Sequence, residues 1–198
     1  MSKKTVLITG FGDFETINDN LSWQGVDSMD RDHIEGTYDI SFYKTKIDVA
    51  YKAVENCVPK LWAEHQPDLI IHVGVKKDLT GFELETQAKK GCYETEDIEN
   101  FCPPNKMHFA DGPDTIITDL DLEHLRDQFN ATEPTIAGLT AAVSSDAGLY
   151  LCEYIYYTSL ACRGCSKTLF VHVPDKGFTK EDIAKGLERI LDICLKLL

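Results

Sequence analysis

The sequence predicts an α/β protein: a single-domain α/β/α sandwich with an open, twisted, mostly parallel sheet, spanning residues 1–198. Three observations carry that reading. Short, near-continuous apolar runs end at glycine or proline, as strands covered on both faces do. Stretches with helical apolar spacing separate them, and right-handed crossovers then put helices on both sides of a sheet. The length of 198 residues suits one domain, which at this size buries about 70% of its unfolded surface without disulfide staples.

The elements follow in chain order. Thr5–Thr9 (TVLIT) reads as a buried strand, and Tyr38–Tyr43 (YDISFY) alternates like a strand nearer an edge. Asp48–His65 carries Val49, Ala53, Val54, Cys57, Val58, Leu61 and Trp62 at amphipathic-helix spacing, with Pro59 predicting a kink or break inside it. Asp68–Val73 (DLIIHV) is the next buried strand. Gly81–Pro113 is long, polar and turn-rich, and reads as an excursion off the scaffold covering about residues 76–113. Thr135–Val143 holds a further strand, weakened by Gly138. Asp146–Leu160 reads as a helix opened by a Ser or Asp cap, and Thr168–Val173 (TLFVHV) as a strand. The last helix, Thr179–Leu198, starts with Thr-x-x-Asp, close to a capping box.

Composition narrows the function classes. Lys plus Arg number 20 and Asp plus Glu 33, a formal net charge of −13. Such a charge repels phosphate backbones and anionic headgroups, so nucleic-acid and membrane-surface roles are not expected. No stretch approaches the roughly 20 apolar residues of a membrane span. The run Val6–Ile8 is shorter than the about 7–15 residues of a signal peptide, so a cytoplasmic location is expected. Seven cysteines, an odd number at irregular spacing, then suggest reduced thiols.

Ligands of open α/β sheets gather outside the carboxyl ends of the strands. The first such loop, Thr9-Gly10-Phe11-Gly12-Asp13-Phe14, has Gly-x-Gly but Glu15 where a dinucleotide fingerprint has its third glycine. Phe11 and Phe14 either pack in the core or form an apolar clamp for a flat neutral ligand. His172 and His72 lie in apolar strands, where a histidine is more often a satisfied core residue than a functional one. Cys152 stands near a helix start, where the dipole and free N–H groups favour a thiolate and can hold an oxyanion. A thiolate nucleophile also needs a histidine and a group to orient it, and His172 with an acid could supply both. Cys162-Arg163-Gly164-Cys165 is a C-x-x-C that follows a helix end rather than opening one. Cys92 and Cys102 make a poor second zinc pair, so these read as loop thiols, and neither metal nor cofactor is expected.

Five segments in order resemble the pyroglutamyl peptidase type I family of cysteine peptidases, which remove an N-terminal pyroglutamate. They are VLITGFGDFETINDNLSW, LWAEHQPDLIIHVGV, FCPPNKMHFADGPDTI, SSDAGLYLCEYIYYTSL and LFVHVP. The third is similar to animal members in particular. The resemblance implies a thiol protease acting on N-terminally pyroglutamylated peptides through an acyl-enzyme. It makes Cys152 the nucleophile, His172 its base and Glu85 the third catalytic residue, with Glu83 the near alternative. It makes Phe11, Phe14, Asn20, Tyr150 and Leu151 the substrate-binding set. Departures from the family pattern fall at Asp13, at Asp48, at Val75–Asp78, at Glu153 and at Lys90 and Thr95, where bacterial members carry asparagine and arginine. Two alternatives stand beside this reading: a catalytically weakened homologue that binds such peptides or a protein partner, and a redox or metal protein built on Cys162 and Cys165. The oligomeric state is left open.

Overall fold

Phe11, His72, Glu85 and His172 lie on four strands that share a sheet. A computed structural model describes residues 3–13, 20–163 and 167–198 of the chain. In chain order, β1 (Lys4–Phe11) leads to two eight-residue helices, α1 (Leu21–Ser28) and α2 (Arg31–Tyr38), and then to β2 (Ile40–Ile47). Next come α3 (Tyr51–His65), β3 (Leu69–Lys76), β4 (Phe82–Glu85) and β5 (Gln87–Lys89). After them are β6 (Thr115–Ile117), α4 (Leu122–Ala131), β7 (Ala141–Ser144) and α5 (Leu151–Cys162). The chain ends with β8 (Lys167–Pro174) and α6 (Lys180–Lys196).

The six-stranded sheet runs β2-β1-β3-β8-β4-β7, and β5 and β6 form a separate antiparallel pair. Within the large sheet only the β4–β8 pairing is antiparallel. The near-continuous apolar runs of β1, β3 and β8 are explained by cover on both faces. Val6, Ile8, Leu69, Ile71, Val73, Leu169 and Val171 pack with residues of α1, α2, α4 and α6. Leu7, Phe11, Ile70 and Phe170 face the other way, into a layer made by α3, α5 and the segment around Ala88 and Tyr93. Full burial of each such side chain contributes on the order of 1.5–3 kcal/mol.

Several local expectations are corrected. The strand expected from Tyr38 starts at Ile40, because Tyr38 ends α2 and Asp39 turns the chain at a φ of 51°. Pro59 does not end α3, whose apolar face (Val54, Val58, Leu61, Trp62) is buried throughout. The strand expected over 135–143 is confined to Ala141–Ser144, since Ala137 and Gly138 both take positive φ. The first part of the supposed excursion is a core strand, β4. Its polar letters hid it: Glu83 and Glu85 alternate with the fully buried Phe82 and Leu84. The helix expected from Asp146 begins at Leu151, after a turn in which Gly148 has a φ of 83°. The capping box at the last helix is present, with Thr179 and Asp182 bonded reciprocally.

Candidate active site

The site forms where β3, β8 and β4 end beneath the N-terminus of α5. On β8, Phe170 faces the α3/α5 layer, and His172, two residues on, shares that face. On β3 the corresponding position is Gly74, in register with His172. A Cβ at Gly74 would lie 2.7 Å from Cys152 Sγ and 2.8 Å from the Phe170 ring. The glycine is therefore what lets the thiol rest on the sheet. The sequence signal was the HVG triplet, which drew attention to His72 rather than to its glycine.

His172 is almost fully buried, and its Nδ1 lies 2.8 Å from Glu85 Oε1. That contact leaves Nε2 as the ring nitrogen for Cys152, which hydrogen-bonds the imidazole. Burial pulls the imidazole pKa down, but Cys152 and Glu85 favour its charged form more strongly, and the result is pushed up to about 9. Glu85 is wholly buried, and its Oε2 accepts the Asp146 N–H at 3.1 Å. Both its carboxyl oxygens are thus engaged, one on the ring and one on the loop before α5. Glu83 pairs opposite His172 across the β4–β8 ladder, but its carboxylate is held by Lys76 Nζ at 2.6 Å. The geometry brings Glu85, not Glu83, to the imidazole.

Cys152 sits in the first turn of α5. No side chain caps that helix, so its leading N–H groups face the strand ends, where they can meet a negatively charged oxygen. Beside the thiol is a small cavity of about 60 Å³ lined by Phe11, Asn20, Val49, Val75, Tyr150, Leu151 and Cys152. Of the expected substrate-binding residues, Phe11, Asn20, Tyr150 and Leu151 meet there. Phe14 lies outside the described residues. Asn20 also builds the wall: its amide donates to Gly12 O at 2.8 Å and its Oδ1 accepts from the Ser22 N–H, capping α1. Val49 and Val75 were not singled out from the sequence as lining residues, because neither has any polar chemistry to flag it.

The segment from Lys90 to Pro113 is bonded to residues that line this cavity or pack behind it. Tyr150 Oη donates to Glu96 O, Tyr51 Oη to Thr95 O, and Ile98 N–H to Val49 O. Asp97 is its anchor, accepting the Tyr51 N–H at 2.8 Å through one oxygen and the Glu99 and Phe101 N–H groups through the other. The altered Thr95 therefore contributes a backbone carbonyl that accepts from Tyr51, and Val75 lines the cavity. A larger cleft of about 490 Å³ lies among Tyr38, Ile136, Lys185 and Arg189, on the other face of the sheet and away from the thiol.

Glu83, Glu85 and His172 are the group among the described residues whose ligand atoms, within 4.8 Å of one another, could hold a metal ion. Lys76 already neutralises Glu83, and His172 already holds Glu85. Cys162 is exposed at the end of α5, and its C-x-x-C partner Cys165 is outside the described residues. No helix among the described residues is long and apolar enough to cross a membrane.

Comparison with known proteins places this arrangement. The chain is 34% identical to pyroglutamyl-peptidase 1 of Rattus norvegicus over 200 residues, covering 99% of this chain and 92% of that protein. Its fold superposes on pyrrolidone carboxyl peptidase from Thermococcus litoralis with a TM-score of 0.84 at 22% identity, over 98% of this chain and 94% of that one. Pyroglutamyl peptidase I from Bacillus amyloliquefaciens gives the same TM-score, 0.84, at 23% identity, over 98% and 96% of the two chains. The family profile described as pyroglutamyl peptidase matches residues 4–183. With that match running from β1 into α6, across every element that builds the site, the chain belongs to the pyroglutamyl peptidase family.

Proposed function

We propose that this protein is a cysteine exopeptidase that hydrolyses the bond after an N-terminal pyroglutamyl residue, with Cys152 as nucleophile, His172 as acid and base, and Glu85 orienting His172. The observation that carries the proposal is the convergence of Cys152, His172 and Glu85 from α5, β8 and β4 beside an apolar cavity. The Cys152 thiolate attacks the pyroglutamyl carbonyl, and leading N–H groups of α5 hold the oxyanion. The tetrahedral intermediate collapses as His172 gives its proton to the departing amine, leaving a pyroglutamyl thioester on Cys152. His172, now neutral, takes a proton from water. The resulting attack on the thioester releases pyroglutamate and restores the thiolate–imidazolium pair.

The apolar lining suits a neutral lactam. An ordinary N-terminus would bring an ammonium into the space between Phe11, Val49 and Val75 without a partner, and burying that charge is costly. The alternative of a weakened, peptide-binding homologue rests on the changes at Val75–Asp78 and Lys90–Thr95. Neither change interrupts the Cys152–His172–Glu85 array, which favours the active enzyme. The test compares a pyroglutamyl amide of a fluorescent amine with the glutaminyl amide of the same amine. Preference for the lactam by roughly 10²-fold or more in kcat/KM is expected from the ammonium penalty. Equal rates on the two would contradict the proposed pocket. The cytoplasm is the proposed location.

A further inference from the structure

Glu153 follows Cys152 in the first turn of α5 and is fully buried. Its Oε1 accepts the Lys89 N–H of β5 at 2.8 Å, while its Oε2 has no partner. An ionised carboxylate has acceptor sites for several donors, and one donor does not compensate a buried charge. The neutral acid leaves a single O–H unmet, which costs less. The neighbouring charges act in both directions. Glu85 of β4 and Asp146 of the loop before α5 add like charge. Lys89 of β5 opposes them, but its ammonium is directed to Asp146 Oδ1 at 3.4 Å. Tyr93, from the segment after β5, faces the same carboxyl as a neutral phenol whose own ionisation burial opposes.

We propose that Glu153 is a positioning residue that works as a neutral acid: it ties the nucleophile's helix to β5 without placing a second anion beside Cys152, and its ionisation slows reactions at the thiol. The proposal rests on Cys152 being the nucleophile. An anion in the first turn of α5 occupies the N-terminal field that the thiolate and the oxyanion use. Burial is the main cause raising this carboxyl, opposed by the Lys89 N–H, and brings it to about 7. Its ionisation therefore falls near neutral pH, below that of His172.

The experiment measures alkylation of Cys152 by iodoacetamide from pH 6 to 8, read on the Cys152 peptide by mass spectrometry, in wild type and Glu153→Gln. The Gln variant keeps the acceptor for Lys89 N–H and removes the charge. Its rate relative to wild type should rise about three-fold across that range, the size expected for one screened charge nearby. A ratio independent of pH overturns the proposal. Should the variant not fold, the wild-type profile decides alone: it must bend near pH 7, and a profile without that bend overturns the proposal. Alkylation needs no peptide substrate, so absence of pyroglutamyl turnover would count against the proposed activity and leave this result readable. Glu153→Ala, which also loses the β5 bond, is expected to be slower at every pH, and rescue by Gln but not Ala separates charge from packing.

Discussion

Gly74 and Glu85 set the geometry around Cys152, the proposed nucleophile, and both make predictions that separate position from chemistry. At Gly74, even a methyl group would stand 2.7 Å from the Cys152 sulfur. Gly74→Ala is expected to displace the thiol and lower kcat/KM by about 10² or more, because small misplacements at a reacting centre carry that cost. Its thermal midpoint should change far less than its activity, and a calorimetric scan beside the assay checks this. Glu85→Gln leaves the imidazole without its carboxylate and should lower kcat by roughly 10²–10⁴, whereas Glu83→Gln, which loses only the Lys76 pair, should fall by less than about ten-fold. Equal losses in the two would contradict the assignment of Glu85. These residues could not be assembled from composition or spacing. Glu85 and His172 stand 87 positions apart and meet only through the β4–β8 ladder. Their proposed roles were legible through resemblance to a family, while the residues alone made His172 more readable as core than as functional.

At the scale of elements, the sequence conveys buried strands well and borrowed caps poorly. The runs in β1, β3 and β8 are apolar on both faces, which identifies them without tertiary knowledge. By contrast, the N-cap of α3 is Ala50, which offers no capping side chain, and Asp97 supplies the acceptor for the Tyr51 N–H from 46 residues away. Nothing in the local sequence shows this. Asp97→Ala is expected to destabilise the protein by about 1–2 kcal/mol, the usual cost of a lost cap. Because Asp97 also organises the turn that bonds to Val49 and Tyr150 of the cavity wall, the same change should raise KM for a pyroglutamyl amide. Denaturant unfolding and steady-state kinetics on one preparation measure both effects. An unchanged unfolding midpoint would show that α3 does not depend on this cap. The eight-residue α1 and α2 were missed for a related reason: they are too short to display a repeating apolar face.

Across the whole molecule, two buried histidines outside the site determine how the fold responds to acid. His108 donates from Nε2 to Thr158 Oγ1 at 2.7 Å, since that hydroxyl is already donating to Tyr154 O. Its Nδ1 accepts the Ala110 N–H at 3.0 Å. Only the neutral ring satisfies both partners. His72 shares its Nδ1 with Thr9 Oγ1 and has no partner at Nε2. Burial lowers both, to about 3. The unfolded chain therefore takes up protons on these rings below its ordinary value of 6.5 while the folded protein does not, and stability falls as pH drops from 6.5 towards 3. Glu153, raised to about 7, acts oppositely between 4.5 and 7, but it is one group against two. The melting temperature should accordingly decline from pH 6.5 to 4.5. His108→Gln, which retains a donor, should flatten that decline, and an unaltered slope would remove His108 as a cause. His172 contributes at the other end: with its pKa raised to about 9, its stabilisation is full below 6.5 and is lost as pH rises through 9.

The most direct measurement is kcat/KM for a fluorogenic pyroglutamyl amide under reducing conditions, taken side by side for wild type and Cys152→Ala. The account predicts turnover by the wild type and none above background by the variant, with both proteins folded. Equal turnover by the two, or none by reduced and folded wild type, would contradict it.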